Sequence, residues 1–330
     1  MLGTRSSRSV SKDSPSFRFE LNRSWWLPLG VIAGLIIFFS VTSSAFATVR
    51  NLTIISAQAS TLLIVCIGAT FVVLMGSIDL SVGAIVLLVG AICVEVENAT
   101  GIGAAIILLG ALLGGLLGLV NGVIYAYGAV PSFVVTLGSL SIFNGLGLQM
   151  LQGRAITFES NALDTVAIAE WLPPMQNIAL CAILVWIAGV LIAQHTRFGR
   201  YMYLIGGGEN VARNSGIPVR RYKVYAFILS GLIAGFGGVL AVARLGAAGP
   251  TLGQDLLLNS LAAIVVGGTS LSGGTGGPAR TLLGVLIIAI LDNGLNLLGV
   301  SSYPQLVIKG TVVIAAVLIS RSHISGLLIK

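Results

Sequence analysis

The sequence predicts an all-α fold, a polytopic transmembrane helical bundle of about ten spans with both termini cytoplasmic. Three observations predict it. The 330 residues are 56% hydrophobic and only 9% charged, whereas a soluble domain carries roughly 25% charged residues. So few charges cannot cover a chain of this size with a water-facing surface, so lipid must cover most of it. The apolar residues fall in runs long enough to cross a bilayer, and the charges left over are segregated between the two sides.

Residues 1–24 are polar and Ser/Arg-rich, which reads as a cytoplasmic tail. An apolar run begins at Trp25-Trp26, a pair suited to the membrane interface, and continues to about Phe46. A basic tail, an apolar run and Ala45-Phe46-Ala47 also fit a cleavable signal peptide. The polytopic remainder needs no such signal, and an uncleaved first span is preferred. Further runs follow at about 52–75, 78–96, 101–127, 131–151, 177–195, 222–245, 256–272, 279–298 and 303–320. The fifth span has Gly138 and Gly145 as possible breaks, and the eighth is short and interrupted by glycine. These runs make one transmembrane domain over 25–320, followed by a C-terminal tail over 321–330. Forty-three glycines without collagen periodicity suit helices packed closely in a membrane.

Charge sets the orientation. The tail carries Arg5, Arg8, Lys12, Arg18 and Arg23 against Asp13 and Glu20. With ten spans, the basic loop 196–223 and the C-terminal Arg321 and Lys330 fall on the same side. Glu95, Glu97 and the loop 152–176, with Glu159, Asp164, Glu170 and Arg154, fall on the other. The positive-inside rule makes the basic side cytoplasmic. It also accounts for the formal net charge of +7 without nucleic acid, for which no binding motif is present. Trp171-Leu-Pro-Pro174 reads as an interfacial turn.

The chain carries no motor. A phosphate-binding P-loop needs Gly-Lys followed by Ser or Thr. None of the four lysines, Lys12, Lys223, Lys309 and Lys330, is followed by either. The glycine-rich stretch 267–277 lacks lysine and reads as a re-entrant bend at the cytoplasmic side. His195 and His323 have no nearby carboxylate partner for acid–base work. Cys66, Cys93 and Cys181 read as small core residues. The chain is not an enzyme on this reading, and no metal or other cofactor is expected on it.

Gly110, Gly114, Gly118 and Gly122 recur every four residues and form a packing stripe for a neighbouring helix, in this chain or another. Asp79 and Ser81 read first as an N-cap of the third span, with solute contact as the second reading. Asp292 is available to pair with Lys309 or Arg244, structurally or along a pathway. Thr136, Ser139, Ser141, Asn144 and Gln149 in the fifth span, with Asn293 and Asn296, form a file of neutral polar groups. Such a file suits a hydroxylated solute, although the same residue types also join helices. Asp79, Ser81, Thr136, Asn144, Gln149, Asn293 and Asn296 are the solute-pathway candidates. In the basic loop, Glu209 opens a short helix that Gly216 and Pro218 close. It reads as a docking element, or else as a plain connector held by lipid headgroups.

Several motifs then occur in order: Ile78-Asp-Leu-Ser-Val-Gly83, Pro131-Ser-Phe-Val-Val-Thr-Leu-Gly138, Arg197-Phe-Gly-Arg200, Ala212-Arg-Asn-Ser-Gly-Ile217, Ala262-Ala-Ile-Val-Val-Gly-Gly-Thr-Ser270 and Asn293-Gly-Leu-Asn-Leu-Leu298. Over about 25–320 the chain resembles the ribose/xylose/arabinose-type permeases of bacterial ABC importers. The resemblance implies a multi-pass inner-membrane subunit that works beside a second copy or a related permease. It implies cytoplasmic ATPase subunits that bind ATP and magnesium, and a periplasmic or surface-tethered sugar-binding protein. Segment 205–217 then resembles the coupling helix that enters the ATPase, with Gly207, Glu209, Asn210, Ala212, Arg213, Ser215 and Gly216 as docking residues. Gly208, Val211, Leu257, Asn259 and Arg280 depart from the common pattern. The implied function is import of a monosaccharide or similar polyhydroxylated solute. The alternative is an ATPase-independent transporter or channel.

Overall fold

The computed structural model describes residues 25–325 except 160, 162 and 174. The expected tail 1–24 and residues 326–330 therefore lie outside the described residues. In order the elements are α1 (Trp26–Thr42), α2 (Val49–Leu74), α3 (Val82–Thr100), α4 (Ala105–Tyr127), α5 (Ser132–Leu151), β1 (Ile156–Thr157), α6 (Asp164–Ala167), α7 (Asn177–His195), α8 (Arg197–Gly207), α9 (Glu209–Asn214), α10 (Val219–Leu245), β2 (Ala247–Ala248), α11 (Gln254–Val266), α12 (Pro278–Leu297) and α13 (Ser302–Ser325). The chain is a helical bundle. Its strands are a two-residue antiparallel pair, Ile156 opposite Ala248 and Thr157 opposite Ala247.

Each expected apolar run contains a helix. Among the described residues, seven are long and apolar enough to cross a membrane: α2, α3, α4, α5, α7, α10 and α12. α1 has 17 residues and α11 has 13. At 1.5 Å per residue α11 reaches only about 20 Å, against a hydrocarbon core of about 30 Å. The eighth run is thus a half-length helix, ended by Gly267 and Gly268. The fifth is not broken: α5 runs without interruption through Gly138 and Gly145. Side chains at both glycines would meet open space, so they are not sites of close approach within this chain. α13 continues to Ser325, past the expected boundary at 321.

α2 is the central post, with 94% of its most apolar window buried. It packs against α7, α10, α11 and α12. α1 lies on α12, where the Phe39 ring occupies the space a side chain on Gly294 would need. Phe46 is 3% exposed beside it, so Phe46 packs into the bundle while Ala45 and Ala47 are exposed.

The glycine stripe of α4 meets α10 of the same chain. Gly114 and Gly118 face Gly231 and Gly235, and a methyl on any of the four would overlap backbone of the opposite helix. This is the close approach that small residues allow where apolar burial gives no preference over lipid. The other face of α4 carries Leu108, Leu112 and Leu116, all exposed, as a lipid-facing helix requires.

Between α2 and α3 the chain is not helical. Residues 77–81 form a non-helical segment, with Ser77, Asp79 and Ser81 buried. α3 therefore starts inside the bundle. Gly83, in its first turn, lies backbone to backbone against Gly253, the residue before α11. The N-termini of α3 and α11 meet there.

Candidate functional site

Irregular backbone within a membrane protein is tolerated only where its polar groups find partners. Residues 77–81 find them in side chains of α4, α5 and α10, of which Thr136 and Ser139 were singled out from the sequence and Ser132, Asn121 and Ser230 were not. The Ser132 hydroxyl accepts from the Ile78 N–H at 3.1 Å, and the Thr136 hydroxyl lies 3.3 Å from the Ile78 carbonyl. Asp79 Oδ1 accepts from the Ser81 N–H at 3.0 Å and the Ser81 hydroxyl at 2.6 Å. Its Oδ2 accepts from the Ser230 hydroxyl of α10 at 3.0 Å. Ser139 donates to Asn121, and Asn121 donates to Ser81. The donors run in sequence from α5 through α4 to one carboxylate.

Ser81 is the N-cap residue of α3, as expected, although neither its side chain nor that of Asp79 makes a cap bond to the helix. The pathway candidates, in contrast, do not form the expected file. Asp79, Ser81 and Thr136 are buried and engaged with protein groups. Asn144 is half-buried, and Ser141 and Gln149 are on the exposed side of α5. Asn293 is locked in a reciprocal amide pair with Asn51, both bonds at 2.9 Å. Of the seven candidates, Asn296 lines the large cleft.

That cleft, about 540 Å³, opens between the ends of α10, α12 and α13 remote from α8 and α9. Gln58 and Thr61 of α2, Arg244 of α10, and Asp255 and Asn259 of α11 line it. Asp292, Asn296, Gln305 and Lys309 complete it. Lys309 Nζ stands 3.0 Å from Asp292 Oδ1, the pairing open in the sequence, and Asn259 donates to Asp292 Oδ2. Arg244 is not in that pair. It makes no hydrogen bond or ion pair among the described residues, and its buried Nε has no partner. Thr61, at 6% exposed, likewise has an unpartnered Oγ1.

At the opposite end α8 and α9 form an angled surface element. Thr196 caps α8 by accepting from the Gly199 N–H at 3.1 Å. Gly208 separates the two helices. After α9 the Gly216 N–H bonds the Arg213 carbonyl and the Ile217 N–H bonds the Ala212 carbonyl. Gly216 has φ +80°, a left-handed closure suited to glycine. Glu209 fixes α9 to the bundle through Lys223 at 2.8 Å and to its own next turn through Arg213 at 2.8 Å. Partial burial pushes the Glu209 carboxyl up, but Lys223 and Arg213 outweigh it and hold it below its ordinary 4.5. Because this pKa is depressed, the clasp is intact at pH values above 4.5 and is lost as pH falls through the lower folded-state value.

Of the expected docking residues, Gly207, Asn210, Arg213, Ser215 and Gly216 are exposed and Glu209 is half-buried. Ala212 is 2% exposed and seats α9 instead of facing outward. The sequence reading missed Val211, 70% exposed, and Leu204, 54% exposed. An exposed apolar residue on an otherwise basic loop was the signal available.

Beneath this element three backbones meet without side chains between them. A methyl on Gly206 would strike the Leu74 carbonyl, and one on Gly273 would crowd Gly76 and Gly206. The Gly274 N–H bonds the Leu74 carbonyl at 2.9 Å, and the Tyr203 hydroxyl donates to the Gly276 carbonyl at 2.9 Å. Burial pushes the Tyr203 phenol up, with Arg280 opposing. The glycine-rich bend 267–277, which is the link between α11 and α12, thus ties α8 to the end of α2.

The chain matches the family described as "Branched-chain amino acid transport system / permease component" over residues 51–317. It is 37% identical to the ribose import permease protein RbsC of Escherichia coli K12, over 94% of this chain and 99% of that one. It is 39% identical to the RbsC of Bacillus subtilis, over 87% and 89%. It is 34% identical to the D-allose transport system permease protein AlsC of E. coli K12, over 95% and 97%. No solved structure matches the chain.

Proposed function

This chain belongs to the family of branched-chain amino acid transport system permease components, and on that premise we propose that it is the membrane-spanning permease subunit of an importer for a monosaccharide. It is a multi-pass protein of the bacterial inner membrane. Relatives named for ribose and allose match nearly its whole length, which supports a small polyhydroxylated solute of that kind. Separate ATPase subunits hydrolyse ATP with magnesium. A second permease copy or a homologous permease completes the membrane unit, and an extracytoplasmic sugar-binding protein delivers the solute.

The observation that carries the reading is the surface element α8–α9. It presents Leu204 and Val211 outward beside Asn210, Arg213 and Ser215. It is clasped to the bundle by Glu209 and Lys223. An exposed apolar knob rimmed by polar groups marks a protein-binding surface. Its glycine junction to α2 and α11–α12 gives a rigid path from a docked motor to the membrane helices. On this reading α8–α9 lies in the cytoplasm.

Val211→Asp is expected to lower ATPase co-purification and ribose or allose uptake at least about tenfold, the effect of roughly 1.4 kcal/mol. Insertion and the size-exclusion profile should not change, because Val211 touches little of its own chain. Gly216→Pro, which cannot hold φ +80°, should do the same by unseating α9. Wild-type co-purification and uptake in both variants would remove the docking assignment.

A further inference from the structure

The cleft between α2, α10, α11, α12 and α13 is the strongest unassigned feature of the molecule. α11 is a half-length helix whose N-terminus abuts the N-terminus of α3 inside the bundle. Gly253, Asp255 and Leu256, at that N-terminus, line the cleft. Discontinuous helices that end inside a membrane protein leave backbone groups for a solute to meet. The volume, about 540 Å³, lies within the range of small-molecule sites.

Two further observations point to a missing ligand. Thr61 is 6% exposed, lines the cleft and has an Oγ1 with no partner. Arg244 lines the cleft as well, without a hydrogen bond or ion pair among the described residues. Buried polar groups are normally satisfied, so both are donors or acceptors held ready.

We propose that this cleft holds the transported solute and that it takes an uncharged sugar ring, with the Arg244 guanidinium, Thr61, Asn259 and Gln305 as its hydrogen-bond partners. The proposal rests on the importer reading above and names the site that reading left open. Charge balance favours a neutral solute: Arg244 and Lys309 are matched by Asp255 and Asp292, and Lys309 is already paired with Asp292. The planar fork of an arginine presents parallel N–H donors, a spacing that matches two adjacent hydroxyls. Gln305 spends its N–H donors on Asn296 and the Val300 carbonyl, and Asn259 donates to Asp292, which leaves the Gln305 and Asn259 carbonyl oxygens and the Asn296 N–H groups to meet hydroxyls. A zwitterionic amino acid would use the two charged poles and leave this amide wall unengaged.

The test uses the permease assembled with its ATPase and binding protein. Arg244→Ala is expected to lower ribose or allose uptake at least tenfold with ATPase co-purification unchanged. Arg244→Lys should not restore uptake, because it keeps the charge and loses the fork. In a Cys181→Ser background, where the remaining Cys66 and Cys93 are buried, Ser302→Cys at the cleft should react with a membrane-impermeant maleimide. Saturating ribose or allose should slow that reaction, and leucine should not. The labelling arm stands even if Arg244→Ala fails to assemble. If wild type transports sugar while Arg244→Ala transports equally and labelling is unprotected, the cleft assignment is overturned and the importer reading stands. Protection by leucine alone overturns the sugar assignment. Wild type that transports neither sugar overturns both readings.

Discussion

Gly118→Leu is expected to abolish the folded bundle. At Gly118 the neighbour is the Phe227 carbonyl and the α-carbon of Gly231, not a side chain able to turn aside. Ordinary overpacking costs about 1–3 kcal/mol because side chains adjust; here α4 and α10 must separate. Their interface runs from Gly110 to Gly122, so separation loses the dispersion contacts of the whole stripe. Those contacts are the main attraction between helices in lipid. Nor would the loss stop at two helices. Ser230 of α10 and Asn121 of α4 both bond into the network around Asp79, so the non-helical segment 77–81 would lose partners too. The expected readout is an aggregated peak, or none, in detergent size-exclusion chromatography. Gly115→Ala is the control. Its new methyl would meet Leu232 at 3.6 Å, an ordinary contact, and the variant should purify as wild type does.

Gly206→Val has the second largest expected effect, and it falls on function. A side chain there collides with the Leu74 carbonyl and the Gly274 backbone. The collision lies at the outer end of α8, where the chain can yield by lifting α8–α9 away from the bend 267–277. The protein should therefore insert and bind its ATPase through the intact Val211 surface. Transport should fall at least about tenfold while basal ATP hydrolysis by the complex persists. Gly34→Ala in α1, where a methyl meets nothing within 4 Å, should leave transport unchanged. Uptake and phosphate release measured on the same preparation check both. Equal uptake in Gly206→Val and wild type would show that force does not pass through the glycine junction.

The sequence carried the bundle because the signals for it are local. Composition, run length and the four-residue glycine spacing each reside within one helix. The short helix α9 was legible for the same reason: Glu209, Gly216 and Pro218 lie within ten residues of each other. What stayed hidden depended on residues far apart in the chain. Asn293 read as a pathway residue because its partner Asn51 is 242 positions away. The partner of the glycine stripe is likewise distant, and Gly231 and Gly235 gained meaning only opposite Gly114 and Gly118. Polar residues on α5 looked like a file because hydropathy does not say which face of a helix meets lipid. Ser139 points inward to Asn121, whereas Ser141, two residues on, bonds only the Leu137 carbonyl on the exposed side. The cleft was invisible because it is assembled from five helices, and Arg244 was weighed only as a partner for Asp292.

The central claim is that this chain is a permease without a motor and with a seat for one. The direct measurement is sugar uptake into proteoliposomes containing the chain, with binding protein outside and ATP inside, with and without the ATPase. The account predicts accumulation of ribose or allose only when ATPase and ATP are both present, and background uptake for the chain alone. Accumulation or saturable flux by the chain alone, unaffected by adding the ATPase, would contradict it.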